Sequence, residues 1–150
     1  MSLCEESTTE RTLTDLIVER LFVGDRVAAA KYGSGKAVDD LTREEQELAS
    51  VRTRAFALGL DPERTADFFR DQIEASKVVQ RGLLARWTAN PVEAPAISPD
   101  LADIRAELDV LTTALLTELA TGQPSLGPIA RPDLDDLHRD ALRTALKSIA

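Results

Sequence analysis

From Asp61-Pro62 to Asn90-Pro91, the positions Ala66, Phe69, Ile73, Ser76, Gln80, Leu83 and Trp87 follow one another at steps of three and four. That is the spacing of a single helix face, opened by an N-cap aspartate with proline at the first helical position and broken by Asn90-Pro91. A helix from residue 62 to about 88 is roughly 40 Å long, and its stripe has to be covered by other helices. The rest of the chain supplies them. Leu13, Leu16, Ile17, Leu21, Val27 and Ala28 keep the same period until Gly33-Ser34-Gly35, which predicts a helix over about 9 to 32. Thr42, with Glu45 three residues later, reads as a capping box and Gly59 as a left-handed stop, for a helix over about 43 to 58. Val92 to Ile97, with Pro95, reads as an extended linker, after which Ser98-Pro99 restarts the pattern. Leu101, Ile104, Leu108, Leu111, Leu115 and Leu119 form a fourth seam that stops at Gly122. A loop carrying Gly122, Pro124, Gly127 and Pro128 leads to a fifth, with Leu134, Leu137, Ala141, Leu142, Ala145 and Ile149. The expected fold class is all-α: a single helical bundle in which three main helices form the site, followed by two further C-terminal helices. Residues 9–150 are expected to make up this domain, with 1–8 a disordered N-terminus or a cloning remnant.

Composition agrees with helices and removes several functions. Ala and Leu occur 21 times each in 150 residues while aromatics reach only 4%, which favours aliphatic helix packing over sheets. The net charge of −8 argues against nucleic acid and anionic lipid as partners. Cys4 is the single cysteine and so forms no internal disulfide, and one histidine without a second cysteine does not supply a common zinc site. No apolar run approaches the ~18 residues of a membrane span, and MSLCEESTTE has neither the basic flank nor the apolar stretch of a signal peptide. Among the cations, 14 are Arg and 4 Lys, and Arg is the side chain that forks onto carboxylates or phosphates. A small anionic ligand stays open beside the plainer reading of solvated surface arginines.

Several polar residues interrupt apolar seams. Arg20 and Lys31 are 11 residues apart, within about 20° of one helix face and ~16 Å apart along it, suited either to gripping a metabolite between them or to snorkelling into water. Ser76 and Gln80 replace two successive members of the third helix's seam. Burying an unpaired amide costs roughly 1 to 3 kcal/mol, so they belong either to an internal network or to a ligand site. Arg43 and Glu47 stand at i and i+4 with Asp40 just ahead, and Arg105 follows Ile104 beside the fourth seam; each taken alone is an ordinary surface group. Together they describe a site for a dianion with a polar centre.

Arg20, Lys31, Asp40, Arg43 and the Ser76/Gln80 pair resemble the active-site series of the all-helical, AroQ-type chorismate mutases. The phrases ER-L-x-V-x-D-x-VAA-x-K (Glu19 to Lys31), F-x-DQI-x-A-S (Phe69 to Ser76) and W-x-x-NP (Trp87 to Pro91) are similar to the exported subclass of that family, over roughly residues 10 to 110. The resemblance implies a Claisen rearrangement of chorismate to prephenate with no cofactor and no covalent intermediate. It implies that Lys31 and Gln80 donate to the ether oxygen, that Arg20 and Arg105 hold the carboxylates with help from Ser76, and that Arg43, Asp40 and Glu47 line the side of the ring hydroxyl, where Glu44 competes with Glu47. In this subclass the arginine at the place of Arg105 belongs to the same chain, so one protomer is expected to hold a complete site. Relatives are often dimeric, which leaves a homodimer open. The subclass also implies a periplasmic or secreted location if a signal peptide was trimmed, and a cytoplasmic one otherwise. Such relatives often carry a C-terminal disulfide, which a chain with one cysteine lacks.

Two other readings stand beside the mutase: isochorismate-pyruvate lyase on the same scaffold, and a non-catalytic helical bundle that binds an anion or a protein. The identity of residue 80 yields a direct test of the first reading. An amide donates at any pH, whereas a carboxyl group donates only when protonated, and a glutamate occupies this place in some of the exported subclass. The expected kcat/KM of the unaltered protein is nearly flat between about pH 5 and 8, and Gln80→Glu shifts activity to the acid side. A Gln80→Glu profile that overlays the unaltered one would make residue 80 a packing group.

Overall fold

The computed structural model describes residues 11–121 and 131–149, and every regular element among them is helical. The elements are α1 (Leu13–Ser34), α2 (Leu41–Ala57), α3 (Pro62–Ala89), a 3₁₀ turn (Pro91–Glu93), α4 (Leu101–Leu119) and α5 (Asp136–Ala145). Helices α1 and α3 form the central pair: α3 packs on α1, α2 and α5, and α1 packs in turn on α4 and α5. Their shared core joins Ile17, Leu21 and Ala28 of α1, Leu48 and Val51 of α2, Phe69, Ile73, Val79 and Leu83 of α3, Ile104, Leu111 and Leu115 of α4, and Ala141, Leu142 and Ala145 of α5. No helix among the described residues is long and apolar enough to cross a membrane.

Each helix begins where a short side chain satisfies backbone N–H groups that have no partner within the helix. Thr12 and Asp15 form a reciprocal capping box that starts α1 at Leu13, later than the period alone predicts, while its end moves out to Ser34 because the left-handed stop is Gly35, at φ 73°. The expected Thr42/Glu45 box does not cap α2. The Asp40 carboxylate accepts the Arg43 N–H at 3.2 Å while Glu44 accepts the Asp40 N–H at 3.1 Å, so the reciprocal exchange sits two residues earlier. Asp61, Asp100 and Asp135 cap α3, α4 and α5. The last two move the starts of the fourth and fifth helices inward, and α5 is shorter than its seam because Leu134, which precedes the cap, is buried all the same. The linker expected to be extended from Val92 opens instead with a 3₁₀ turn, since the fixed φ of Pro91 suits one and the Glu93 N–H reaches the Asn90 carbonyl at 2.9 Å. The loop expected around Gly122 to Pro128 and the N-terminal segment 1–8 lie outside the described residues.

Helix α5 is held against α1 and α3 by close approach and by charge. A Cβ at Gly82 of α3 would stand 2.5 Å from Leu137 Cδ1, so only glycine lets the two helices meet there without Leu137 moving. Gln72 of α3, fully buried, donates to the Ala145 carbonyl at 2.8 Å. His138, 5% exposed, sits between two carboxylates, with Nδ1 2.6 Å from Asp135 and Nε2 2.7 Å from Asp25 of α1, and its ring stacks on Phe22. The hydrogen bond to Asp25 is the largest influence on the imidazole and raises its pKa; burial opposes it and Asp135 adds to it.

A group whose folded pKa is raised contributes stability that is complete below its unfolded pKa, near 6.5 for histidine, and is lost as pH rises through the folded value. His138→Asn is therefore expected to lower Tm by several degrees at pH 6, on the order of 2 kcal/mol for charge-assisted hydrogen bonds. The loss should be clearly smaller at pH 9. Thermal melts at both pH values check it, and an equal loss at the two would show that the imidazolium charge contributes nothing.

Candidate active site

Helices α1 to α4 and the segment between α1 and α2 surround a cleft of about 440 Å³, the size of a small-metabolite site. Arg20, Val27 and Lys31 come from α1, Lys36, Val38, Asp39 and Asp40 from the connecting segment, and Arg43, Glu44 and Glu47 from α2. Ile73, Ser76, Lys77 and Gln80 come from α3, and Leu101, Ile104, Arg105 and Leu108 from α4. All eight residues picked out by sequence, Arg20, Lys31, Asp40, Arg43, Glu47, Ser76, Gln80 and Arg105, line this one cleft. Its charged lining comprises six cations and four carboxylates, an excess of two positive charges in a chain whose overall charge is −8.

The cations are held in different ways. Arg20 does not snorkel. It is buried, its Nη1 donates to the Gln72 carbonyl at 3.0 Å, and its Nε has no partner among the described residues. Burial pushes its pKa down, against the pull of Glu47. Lys31 is half-buried and donates to the Val38 carbonyl at 2.9 Å. Burial lowers its pKa too, opposed by Asp40, Glu44 and Asp39 in that order, while Lys77 adds to the lowering. Arg43 stands 3.6 Å from Glu47 on the next turn of α2. Arg105 is exposed, with no hydrogen bond or ion pair to another described residue.

On α3, Gln80 Nε2 donates to Ser76 Oγ at 2.9 Å, so the two are linked internally, yet Gln80 Oε1 is buried with no partner among the described residues. The pair thus satisfies itself in part and leaves one polar atom over, in a group that lines the cleft. Gly24 of α1 makes this placement sterically possible, because a Cβ there would stand only 3.2 Å from Ser76 Oγ. Turned by 180° about its last torsion, the amide would accept from Ser76 and release its N–H groups instead.

Sequence reasoning missed Lys77, Asp39 and Lys36. Lys77 Nζ lies 2.8 Å from Asp39, 2.9 Å from Glu44 and 3.4 Å from Glu74. Nothing in helical periodicity signals this, since residue 77 falls off the apolar seam and its partners are mostly far away in sequence. Glu44, considered earlier for a ligand hydroxyl, spends one oxygen on Lys77 and the other on the Asp40 N–H. A second, smaller cleft of about 250 Å³ adjoins the first across Arg20, Arg43, Glu47 and Arg105. Among the described residues no group of three or more His, Cys, Asp or Glu is placed to hold a metal ion.

The arrangement can bind a compact dianion on Arg and Lys side chains while presenting an ammonium and a carboxamide to a polar centre. Residues 7–81 match the family described as "Chorismate mutase type II". The chain is 40% identical over 134 residues to a secreted chorismate mutase of Mycolicibacterium smegmatis, covering 89% of this chain and 74% of that one. It is 33% identical over 133 residues to a secreted chorismate mutase of Mycobacterium tuberculosis, covering 88% and 67%. The crystal structure of a chorismate mutase from Burkholderia thailandensis superposes with a TM-score of 0.79 at 34% identity, over 92% of this chain and 96% of that one.

Proposed function

The chain belongs to the type II chorismate mutase family, and from that membership we propose how its own residues carry out the rearrangement of chorismate to prephenate. The enzyme is an isomerase. In one step the ether C–O bond of the substrate breaks as a new C–C bond forms, and no atom enters or leaves. Catalysis then reduces to two physical tasks: holding a flexible dianion in the compact conformer that reacts, and stabilising the negative charge that grows on the ether oxygen. As in the relatives named as secreted enzymes, its location is secreted or periplasmic.

Arg20 and Arg105 hold the two carboxylates, with Ser76 assisting at the carboxylate on the ring; charge-assisted forks of this kind fix orientation as well as position. Lys31 and Gln80 donate to the ether oxygen. The carboxylates of Asp40, Glu44 and Asp39 oppose the effect of burial on Lys31 and so favour its protonated form. Gln80 serves as a donor when its amide is turned so that Ser76 donates to Oε1, which pairs that atom and directs an N–H into the cleft. Arg43, Asp40 and Glu47 face the ring hydroxyl. Glu47 has the less committed carboxylate, since Glu44 is shared between Lys77 and the N-terminus of α2. The observation that carries this reading is the convergence of all eight residues, from four helices of one chain and the segment joining α1 to α2, on a cleft with two positive charges in excess. Every group comes from the same protomer, so a homodimer is not needed to complete the site, and residues 9–150 act as a single catalytic domain.

Lys31→Ala is expected to lower kcat/KM by at least ~10² with the helical fold retained, because a donor aimed at developing charge is typically worth ~3 to 4 kcal/mol. Chorismate consumption by the purified variant checks this, and near-normal turnover would remove Lys31 from the mechanism. For Arg105→Ala a large rise in KM or fall in kcat/KM is expected. Mixing that variant with an inactive Lys31→Ala chain should restore nothing; recovered activity would mean that the arginine acts across a subunit boundary.

A further inference from the structure

Lys77 is 5% exposed and has no role in the assignments above. A lysine at such a site needs full compensation, and here three carboxylates from different parts of the chain provide it. Asp39 belongs to the segment that joins α1 to α2, Glu44 to the first turn of α2, and Glu74 to Lys77's own helix. Burial depresses the Lys77 pKa, but its hydrogen bonds to Asp39 and Glu44 and the charges of Glu44 and Glu74 outweigh it and raise the net value.

The segment 38–40 performs three tasks on successive residues. The Val38 carbonyl accepts from Lys31, the Asp39 carboxylate binds Lys77 and Arg81, and Asp40 caps α2. Asp39 keeps Arg81 at 2.9 Å if Lys77 is lost. Glu44 would keep only the Asp40 N–H, 3.1 Å from one oxygen, and the oxygen now on Lys77 would be left without a partner. The Glu44 side chain is 18% exposed, Lys77 is its ion-pair partner, and the other cation whose charge it already influences is Lys31. The charged groups that share the cleft with it are Arg20 and Lys31 of α1, Lys36, Asp39 and Asp40 of the segment, Arg43 and Glu47 of α2, Lys77 of α3 and Arg105 of α4.

We propose that Lys77 is a positioning residue for the rearrangement: by holding Glu44 and Asp39 against α3, it keeps the Glu44 carboxylate from pairing with Lys31 and leaves the Lys31 ammonium directed at the substrate. The inference rests on the reading of Lys31 as a donor to the ether oxygen. That oxygen carries its greatest charge only in the transition state, so an ammonium diverted to a full carboxylate loses more in kcat than in KM.

The test measures kcat and KM at pH 8 for the unaltered protein, Lys77→Met, Lys77→Arg, Lys31→Met and the double variant. Lys77→Met is expected to lower kcat about tenfold near pH 8 with KM changed by less than about threefold. Lys77→Arg restores most of the rate. In the Lys31→Met background the same change costs less than about twofold, because there is no ammonium left to divert. If Lys77→Met does not fold, Lys77→Gln, which keeps hydrogen bonding without the charge, is read in the same way. A normal kcat in Lys77→Met, or a loss that Lys77→Arg fails to repair, overturns the proposal. A Lys31→Met enzyme with normal turnover overturns instead the reading of Lys31 on which it rests.

Discussion

Six cations line one cleft, and like charges gathered this closely repel one another unless carboxylates are set among them. That requirement governs the local architecture. Asp40 caps α2 and, with Asp39 and Glu44, supports the charge on Lys31, while Glu47 does the same for the buried Arg20. The acids do not neutralise the site. They lower the cost of assembling it and leave an excess of two positive charges for a dianionic substrate, so the field is arranged before the substrate arrives rather than by its arrival.

Helix α3 links this electrostatic arrangement to the stability of the bundle. Ser76, Lys77 and Gln80 line the cleft, while Gln72 and Gly82 secure α5. Gln72 serves both ends at once: its side chain ties down Ala145 and its carbonyl accepts from Arg20. The docking of the C-terminal helix is thereby connected, through one residue, to a guanidinium that lines the cleft. Gly24 and Gly82 act by their small size: a methyl group would crowd Ser76 at the first and displace the Leu137 side chain at the second.

Much of this was legible in the sequence, for a definite reason. Helical period reports which residues share a face, so Arg20 with Lys31 and Ser76 with Gln80 could be paired without a structure. Proline and glycine marked the breaks at residues 35, 59 and 90. What escaped was nonlocal or ambiguous. Asp40 and Thr42 are both good caps, and only the reciprocal bond from Glu44 selects the first. Lys77 gave no signal because its partner Asp39 lies 38 residues away, and His138 showed no sign of Asp25, 113 residues distant. Pairings at such separations depend on how helices cross, which one-dimensional periodicity does not encode.

Arg105 reaches the cleft from α4 of the same chain that supplies Arg20 and Lys31. The effective concentration of each cation toward the others is therefore set by covalent tethers and helix packing, not by the number of molecules in solution. An active site divided between subunits comes apart on dilution at a rate fixed by the interface. One enclosed within a single polypeptide does not, so its activity stays proportional to the amount of chain at any dilution.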